Sequence, residues 1–226
     1  MSELLRRARA ILWKDLLTEL RTKQGLSAML SFAALVIFLF SFAIGPNTTL
    51  LARLAGGLIW VAIIFTGTLS LGRAFQTEEL AGGVRLLRLY PGDPRAIYLG
   101  KLGANLVLLA ALEAVLFPAA AVIFQVDLVA HIGPIALVAV LGTIGFSAIG
   151  TFFSALTVHA KARELLLPLL LFPALVPVVV GAVGATDAII GGNAMGRLGG
   201  WLQLLAAYDV ILFVVCVWIF PVILEE

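Results

Sequence analysis

Six stretches of about 20 mostly apolar residues follow one another along the chain, and they constrain the fold more than any other feature. A helix of that length can cross the hydrocarbon core of a bilayer. Inside lipid, backbone N–H and C=O groups must bond within the protein, which favours helices, and no stretch shows the alternation of a barrel strand. We therefore predict an all-α integral membrane protein with six transmembrane helices. The predicted spans are residues 26–46, 50–72, 100–125, 132–157, 165–185 and 204–224.

The composition agrees with a membrane protein, since 62% of the residues are hydrophobic and 12% are charged. A soluble domain carries about 25% charged residues. The single cysteine, Cys216, has no second thiol in the chain for an internal disulfide. We expect the first span to be retained, because a charged segment of about 25 residues precedes it and it is longer than the apolar core of a signal peptide.

The distribution of positive charge predicts the orientation. Apart from Arg53 and Arg197, every Lys and Arg falls on the side of the membrane that holds the N-terminus. Cytoplasmic loops of membrane proteins carry the excess of Lys and Arg. We therefore predict a multi-pass membrane protein, in contact with the lipid bilayer and with both termini in the cytoplasm.

Residues 1–25 are predicted to form a cytoplasmic amphipathic helix on the membrane surface, separate from the transmembrane domain at 26–226. Leucine and isoleucine lie along one side of this helix and Arg and Lys along the other, which suits an anionic leaflet. Asp15 and Glu19 interrupt its apolar side one turn apart. They are either solvated at the interface or paired with basic residues of a partner protein.

A long charged loop, residues 73–99, joins the second and third spans on the basic side. Its sequence EELAGGVRLLRLYPGDPR predicts a short helix that Pro91 ends and a turn at PGDP. The loop is either a solvated connector or a helix that docks on a cytoplasmic partner, and its length favours docking. The candidate docking residues are Glu78, Glu79, Arg85, Leu87, Arg88, Tyr90, Pro91 and Asp93.

The sequence holds no recognisable catalytic or cofactor site. The phosphate-binding pattern G-x-x-x-x-G-K-[ST] is absent, so any ATP must be hydrolysed by another chain. His131 and His159 fall on opposite sides of the membrane and cannot share a metal. We expect no directly bound cofactor or metal, no enzyme activity and no nucleic-acid partner.

Glu113 is predicted to be the one ionisable residue that lies deep within a span. A charge at the bilayer centre costs roughly 2.5–3.5 kcal/mol on insertion scales. Glu113 is therefore either a neutral, hydrogen-bonded structural residue or part of a substrate path or gate. Asp209 and Arg53 are placed at the outer edges of their spans, and residues 185–200 are a candidate for broken or re-entrant helices.

Four stretches resemble the haem exporter protein B family, also called cytochrome c maturation protein B. They follow the order of that family along essentially the whole chain. The stretches are SFAIGPNTTLLARLAGGLIWVA, LLRLYPGDPRAIYLGK, ALTVHAKARELLLPLLLFPALVPVVVGAV and WLQLLAAYDVILFVVCVWIFPVILEE.

The resemblance implies the permease subunit of an ABC transporter of the ABC-2 type, in the inner membrane of a bacterium. Such a subunit would pair with a separate ABC ATPase, a second copy of itself and haem-handling membrane proteins, with ATP in the partner and haem as the substrate of the complex. ATP hydrolysis in the partner would drive either haem delivery or export, or the release of a haem-loaded chaperone. Residues 78–95 would then form the coupling helix of the ATPase contact. Two alternatives stay open: a non-conducting scaffold that relays ATPase motion, and a stand-alone carrier that uses Glu113. The absence of an internal repeat argues against the carrier.

Overall fold

The computed structural model describes residues 2–74, 93–158, 160, 162–192 and 194–225. Its described part contains seven α-helices and a 3-10 turn at Val129–His131. The helices are α1 (Ser2–Thr22), α2 (Gln24–Ile44), α3 (Thr48–Ala74), α4 (Arg95–Phe124), α5 (Ile132–Leu156), α6 (Arg163–Ile190) and α7 (Ala194–Glu225).

Helices α2 to α7 are long and apolar enough to cross a membrane, which confirms the prediction of six spans. At 1.5 Å of rise per residue, even the shortest of them matches a hydrocarbon core of about 30 Å. Their outer surfaces carry large apolar side chains, such as Phe42 and Trp218, which are 82% and 73% exposed. Exposed apolar side chains of this kind are expected where a protein faces lipid rather than water.

Helix α5 occupies the centre of the bundle, where it packs against α3, α4, α6 and α7. Glycines on α5 leave room for bulky side chains of a neighbouring helix. Trp60 of α3 lies over Gly142 and Leu71 of α3 lies over Gly150, at positions where a Cβ would collide with them. Small residues allow helices in membranes to approach closely. The sequence of α5 thus explains why other helices surround it.

The last two helices are longer than the sequence indicated. Helix α6 remains helical through Pro168, Pro173 and Pro177 and runs to Ile190, and α7 starts at Ala194, ten residues before the predicted start. Residues 185–200 are therefore, where described, the ends of two continuous helices around a turn at Gly191 and Gly192, not broken segments. Trp201 packs on Gly184, and this contact holds the first turns of α7 against α6.

Candidate functional site

The N-terminal helix α1 is attached to the start of α4, and a buried ion pair joins them. Lys101 Nζ lies 3.0 Å from Asp15 Oδ2, and Lys101 is 3% exposed. Lys14 Nζ lies 3.2 Å from the other carboxylate oxygen of Asp15. A charge so deeply buried requires a partner, because desolvation of an isolated ammonium is very costly. Asp15 supplies that partner from within the chain.

Glycine makes this contact possible. A Cβ at Gly100 would lie 2.7 Å from Ile11 Cβ and 2.8 Å from the Ala8 carbonyl oxygen, so only glycine lets the two helix backbones approach this closely. A Cβ at Gly103 would meet Leu12 Cδ1 at 2.5 Å. The apolar side of α1 therefore packs on α4.

The structure gives Asp15 and Glu19 internal roles that neither sequence-based alternative included. Asp15 bonds Lys101 of its own chain rather than a partner protein. Glu19 Oε1 accepts the N–H of Leu26 at 2.7 Å, beyond the left-handed residue Lys23 that separates α1 from α2. This bond satisfies one of the free N–H groups at the start of α2, as a helix cap does. Both carboxylates thus fix the angle at which α1 meets the membrane helices.

Most of the predicted docking loop lies outside the described residues. Glu78, Glu79, Arg85, Leu87, Arg88, Tyr90 and Pro91 all fall within residues 75–92. Asp93 is described: its Oδ1 accepts the N–H of Arg95 at 2.9 Å, and its carbonyl accepts the N–H of Ala96 at 3.0 Å. Asp93 therefore closes the first turn of α4, directly after the loop and two helical turns before Lys101.

Polar side chains also connect α4 to α5 inside the bundle. Asn105 Nδ2 donates to Thr151 Oγ1 at 2.9 Å, and the Tyr98 hydroxyl donates to the Ala148 carbonyl at 3.0 Å. Further along α4, the Thr143 hydroxyl donates to Glu113 Oε1, and Glu113 is 6% exposed. Glu113 is thus buried deep within a span, as predicted, and its partner is a neutral hydroxyl group.

Asp209 is a second deeply buried carboxyl group, and its predicted position was wrong. It lies near the middle of α7 and is 5% exposed, where the sequence suggested the solvated outer edge of a span. The error arose because the predicted span began at residue 204, whereas α7 begins at Ala194. Both carboxyl oxygens lack a hydrogen-bond partner among the described residues. The hydroxyls of Thr66 and Ser147 are likewise buried without a described partner.

The two buried carboxyl groups lie on different sides of α5. Glu113 bonds Thr143, and Asp209 Oδ1 occupies the space that a Cβ on Gly145 would need. Residues two apart on a helix differ by about 3 Å along its axis and about 200° around it. Glu113 and Asp209 therefore sit at nearly the same depth, with α5 between them. Sequence reasoning could have found Asp209 only with the correct start of α7.

The remaining sequence-predicted candidates do not assemble into a metal site. His131 Nδ1 lies 3.5 Å from the Asp127 carbonyl in an exposed turn, and His159 is outside the described residues. Within the described ranges, no group of three His, Cys, Asp or Glu side chains could hold a metal ion. Cys216 is buried on α7.

Comparison with known proteins agrees with this architecture. The chain is similar to Heme exporter protein B of Rhodobacter capsulatus, with 36% identity over 76% of this chain and 78% of the relative. Heme exporter protein B of Haemophilus influenzae is 32% identical over 87% of each chain. The Pseudomonas aeruginosa protein of that name is 33% identical over 83% of each.

A family model described as CcmB protein matches residues 6–225. The match begins in α1 and includes all six apolar helices, so it covers the α1–α4 contact as well as both buried carboxyl groups. The chain, a multi-pass membrane protein, belongs to the CcmB protein family.

Proposed function

We propose that this chain is the membrane-spanning permease subunit, of the ABC-2 type, of an ATP-driven complex for cytochrome c maturation. Haem is the proposed substrate of the complex. The observation that carries the proposal is the family match over residues 6–225, together with relatives named Heme exporter protein B that cover most of the chain. An ATP-driven role further needs a separate ATPase, because the sequence has no phosphate-binding loop.

The proposed contact for the ATPase is the loop at 73–99, with residues 78–95 as the coupling segment. The arrangement around this loop supports the idea. The loop leads into α4 at Asp93, and Lys101 on α4 bonds Asp15 on α1. Force applied to the loop would therefore reach α4 and α1 as one unit. In this proposal residues 1–25 are a cytoplasmic interfacial helix and residues 26–226 are the permease domain.

The proposed orientation places both termini in the cytoplasm of a bacterium, with the six spans in the inner membrane. An even number of spans returns the chain to its starting side, so the start of α2 and the end of α7 share a side. The Lys and Arg residues of the N-terminal segment and of the loop after α3 then face the cytoplasm. A second copy of the chain and haem-handling membrane proteins are the other proposed partners.

A non-conducting relay is the second form of this function. Hydroxyl and amide groups inside the bundle bond one another, as Asn105 bonds Thr151. Such a bundle can transmit motion to a haem-handling partner without passing haem itself. Haem movement separates the two forms, because the relay releases haem from the partner whereas the permease carries it across the membrane.

Co-purification tests the ATPase contact. The tagged full chain is extracted from its native membrane in mild detergent, and its co-purifying proteins are identified by mass spectrometry. We compare the wild type with Arg85→Glu/Arg88→Glu and with Arg197→Glu, which reverses a charge on exposed α7 surface on the opposite side. We expect an ATPase to accompany the wild type and Arg197→Glu and to be lost from the double variant. No ATPase in any preparation would refute the ATP-driven role.

Reconstitution tests the substrate. The co-purified complex is placed in vesicles with haem outside and ATP or ADP on the ATPase side. ATP-dependent haem in the vesicle lumen supports the permease. ATP-dependent loss of haem from a partner, with an empty lumen, supports the relay. If neither depends on ATP while the ATPase is active, haem is not the substrate of this complex.

A further inference from the structure

Asp209 lies farther from the membrane surfaces than an aspartate side chain can reach. It is about 23 Å along α7 from either end of the helix, at 1.5 Å per residue. The hydrocarbon core is about 30 Å thick, so its centre is about 15 Å from each boundary. Long Lys and Arg side chains near helix ends can extend to the interface, but the short side chain of Asp209 cannot.

The surroundings of the Asp209 carboxyl group are a narrow wedge between α5, α6 and α7. Its Oδ1 occupies the space that a Cβ on Gly145 of α5 would need. Val178 of α6 lies beside the same space, with Cγ2 2.9 Å from the position of that Cβ. Neither oxygen has a described hydrogen-bond partner. Polar groups buried in this way are rare in folded proteins and call for an explanation.

Among the described residues of the helices packed around it, no charged group lies close enough to neutralise this carboxyl. Helix α5 contains no ionisable residue from 132 to 156. On α6 the ionisable residues are Arg163, Glu164 and Asp187, all at least nine residues, or about 13 Å, from Val178. On α4, Glu113 lies beyond α5, and Tyr98 packs near Phe220, about three turns from Asp209. On α7 itself, Tyr208 donates its hydroxyl to the Ala174 carbonyl, and Arg197 and Cys216 are at least seven residues away.

The ligand that fits this site is a proton rather than a metal cation. A metal cation needs several oxygen or nitrogen ligands. Gly145 and Val178, which lie beside the Asp209 carboxyl group, have no side-chain atom that could serve as one. Among the described residues, Asp209 has no two further His, Cys, Asp or Glu side chains with which it could hold a metal ion. A proton needs only the carboxylate, and the neutral acid avoids the cost of a charge at the bilayer centre.

We propose that Asp209 is a proton-binding site within the helix bundle, and that losing its proton opens the wedge between α5, α6 and α7 to water. The carboxylic acid gives its proton to an entering water molecule and becomes a carboxylate, which the apolar wedge cannot solvate. The packed bundle therefore binds the proton, and the opened bundle releases it. This site is independent of the ATPase contact and of the identity of the transported substrate.

Infrared spectroscopy tests the site directly. The full-length protein is reconstituted in lipid nanodiscs, and the C=O stretching band of protonated carboxyl groups is followed from about pH 5 to about pH 9, the range in which buried carboxyl groups titrate. Asp209→Asn identifies the band of Asp209, and Glu113→Gln identifies that of Glu113. We expect an Asp209 band at low pH that is lost as pH rises, with faster backbone hydrogen exchange in the middle of α5 and α7.

Two infrared results would overturn the proposal. Absence of an Asp209 band at every pH would mean a permanently ionised group, and an unchanged band at every pH would mean a fixed structural acid.

A second measurement needs no variant: dicyclohexylcarbodiimide adds to protonated carboxyl groups in membranes, and peptide mass spectrometry locates the adduct. We expect an adduct on Asp209 that falls with rising pH. Protection by Na⁺ at constant pH would instead identify a cation site and contradict the proton site.

Discussion

Asp15 of α1 and Lys101 of α4 form an ion pair with 3.0 Å between Oδ2 and Nζ, although 86 positions of sequence separate them. The pair joins the helix that precedes all six spans to the helix that follows the long charged loop. Around it, Ala8, Ile11 and Leu12 of α1 pack on Gly100 and Gly103 of α4. These contacts make α1 part of the bundle.

The first prediction concerns the ion pair. Asp15→Asn and Lys101→Met should each loosen α1, because each removes the attraction that holds it on α4. Residues in direct contact show interaction energies of about 0.5–3 kcal/mol in double-mutant cycles. Hydrogen exchange of the α1 amides should therefore be faster in either single variant. In the double variant, the loss of protection should be smaller than the sum of the losses in the two single variants. Strictly additive effects would show that the pair does not hold α1 in place.

The second prediction concerns the close approach at Gly100. Gly100→Ala puts a Cβ against Ile11 Cβ and the Ala8 carbonyl oxygen, so α1 must move, and overpacking costs about 1–3 kcal/mol. Gly57→Ala is the matched control, since a Cβ there meets nothing within 4 Å and replacing a helical glycine removes its excess entropy. In detergent, the midpoint temperature of unfolding should fall for Gly100→Ala and should be unchanged or higher for Gly57→Ala. Equal midpoints would mean that α1 does not need this contact.

The sequence predicts the spans because lipid allows few solutions: each run of about 20 apolar residues must become a helix. The same reasoning failed at the start of α7. Arg197 and the surrounding glycines lower the local hydropathy, whereas the packing of Trp201 on Gly184 keeps this stretch helical. The late start assigned to the helix then moved Asp209 to the membrane edge.

Tertiary contacts explain why other parts of the site were missed. The partner of Asp15 depends on how closely α1 approaches Gly100, and a helical pattern in α1 alone cannot reveal that distance. The depth of Glu113 was predictable, because it follows from counting residues along one span. Its bond to Thr143 depends on the packing of α4 on α5, which no local pattern encodes.

The third prediction concerns orientation. Reporter fusions at the C-terminus and after Gly192, in the turn between α6 and α7, should report opposite sides, because α7 alone lies between them. We expect a fluorescent protein to be bright and alkaline phosphatase to be inactive at the C-terminus, with the reverse after Gly192. Replacing the Lys and Arg residues before α2 by Gln should weaken this preference, since these charges favour the cytoplasm. Identical reporter activity at both sites would contradict the topology.

The last prediction separates a structural Glu113 from a transport residue. Glu113→Gln keeps an oxygen that accepts the Thr143 hydroxyl, so folding should be preserved. Thr143→Val removes the donor and leaves a buried acceptor unsatisfied, at a cost of about 1–3 kcal/mol, while Thr143→Ser restores the hydroxyl. In detergent, Thr143→Val should thus unfold at a lower temperature than Thr143→Ser and Glu113→Gln. Cytochrome c maturation in cells should survive Glu113→Gln if the residue is structural; its loss in a normally assembled protein would place Glu113 in the substrate path or gate.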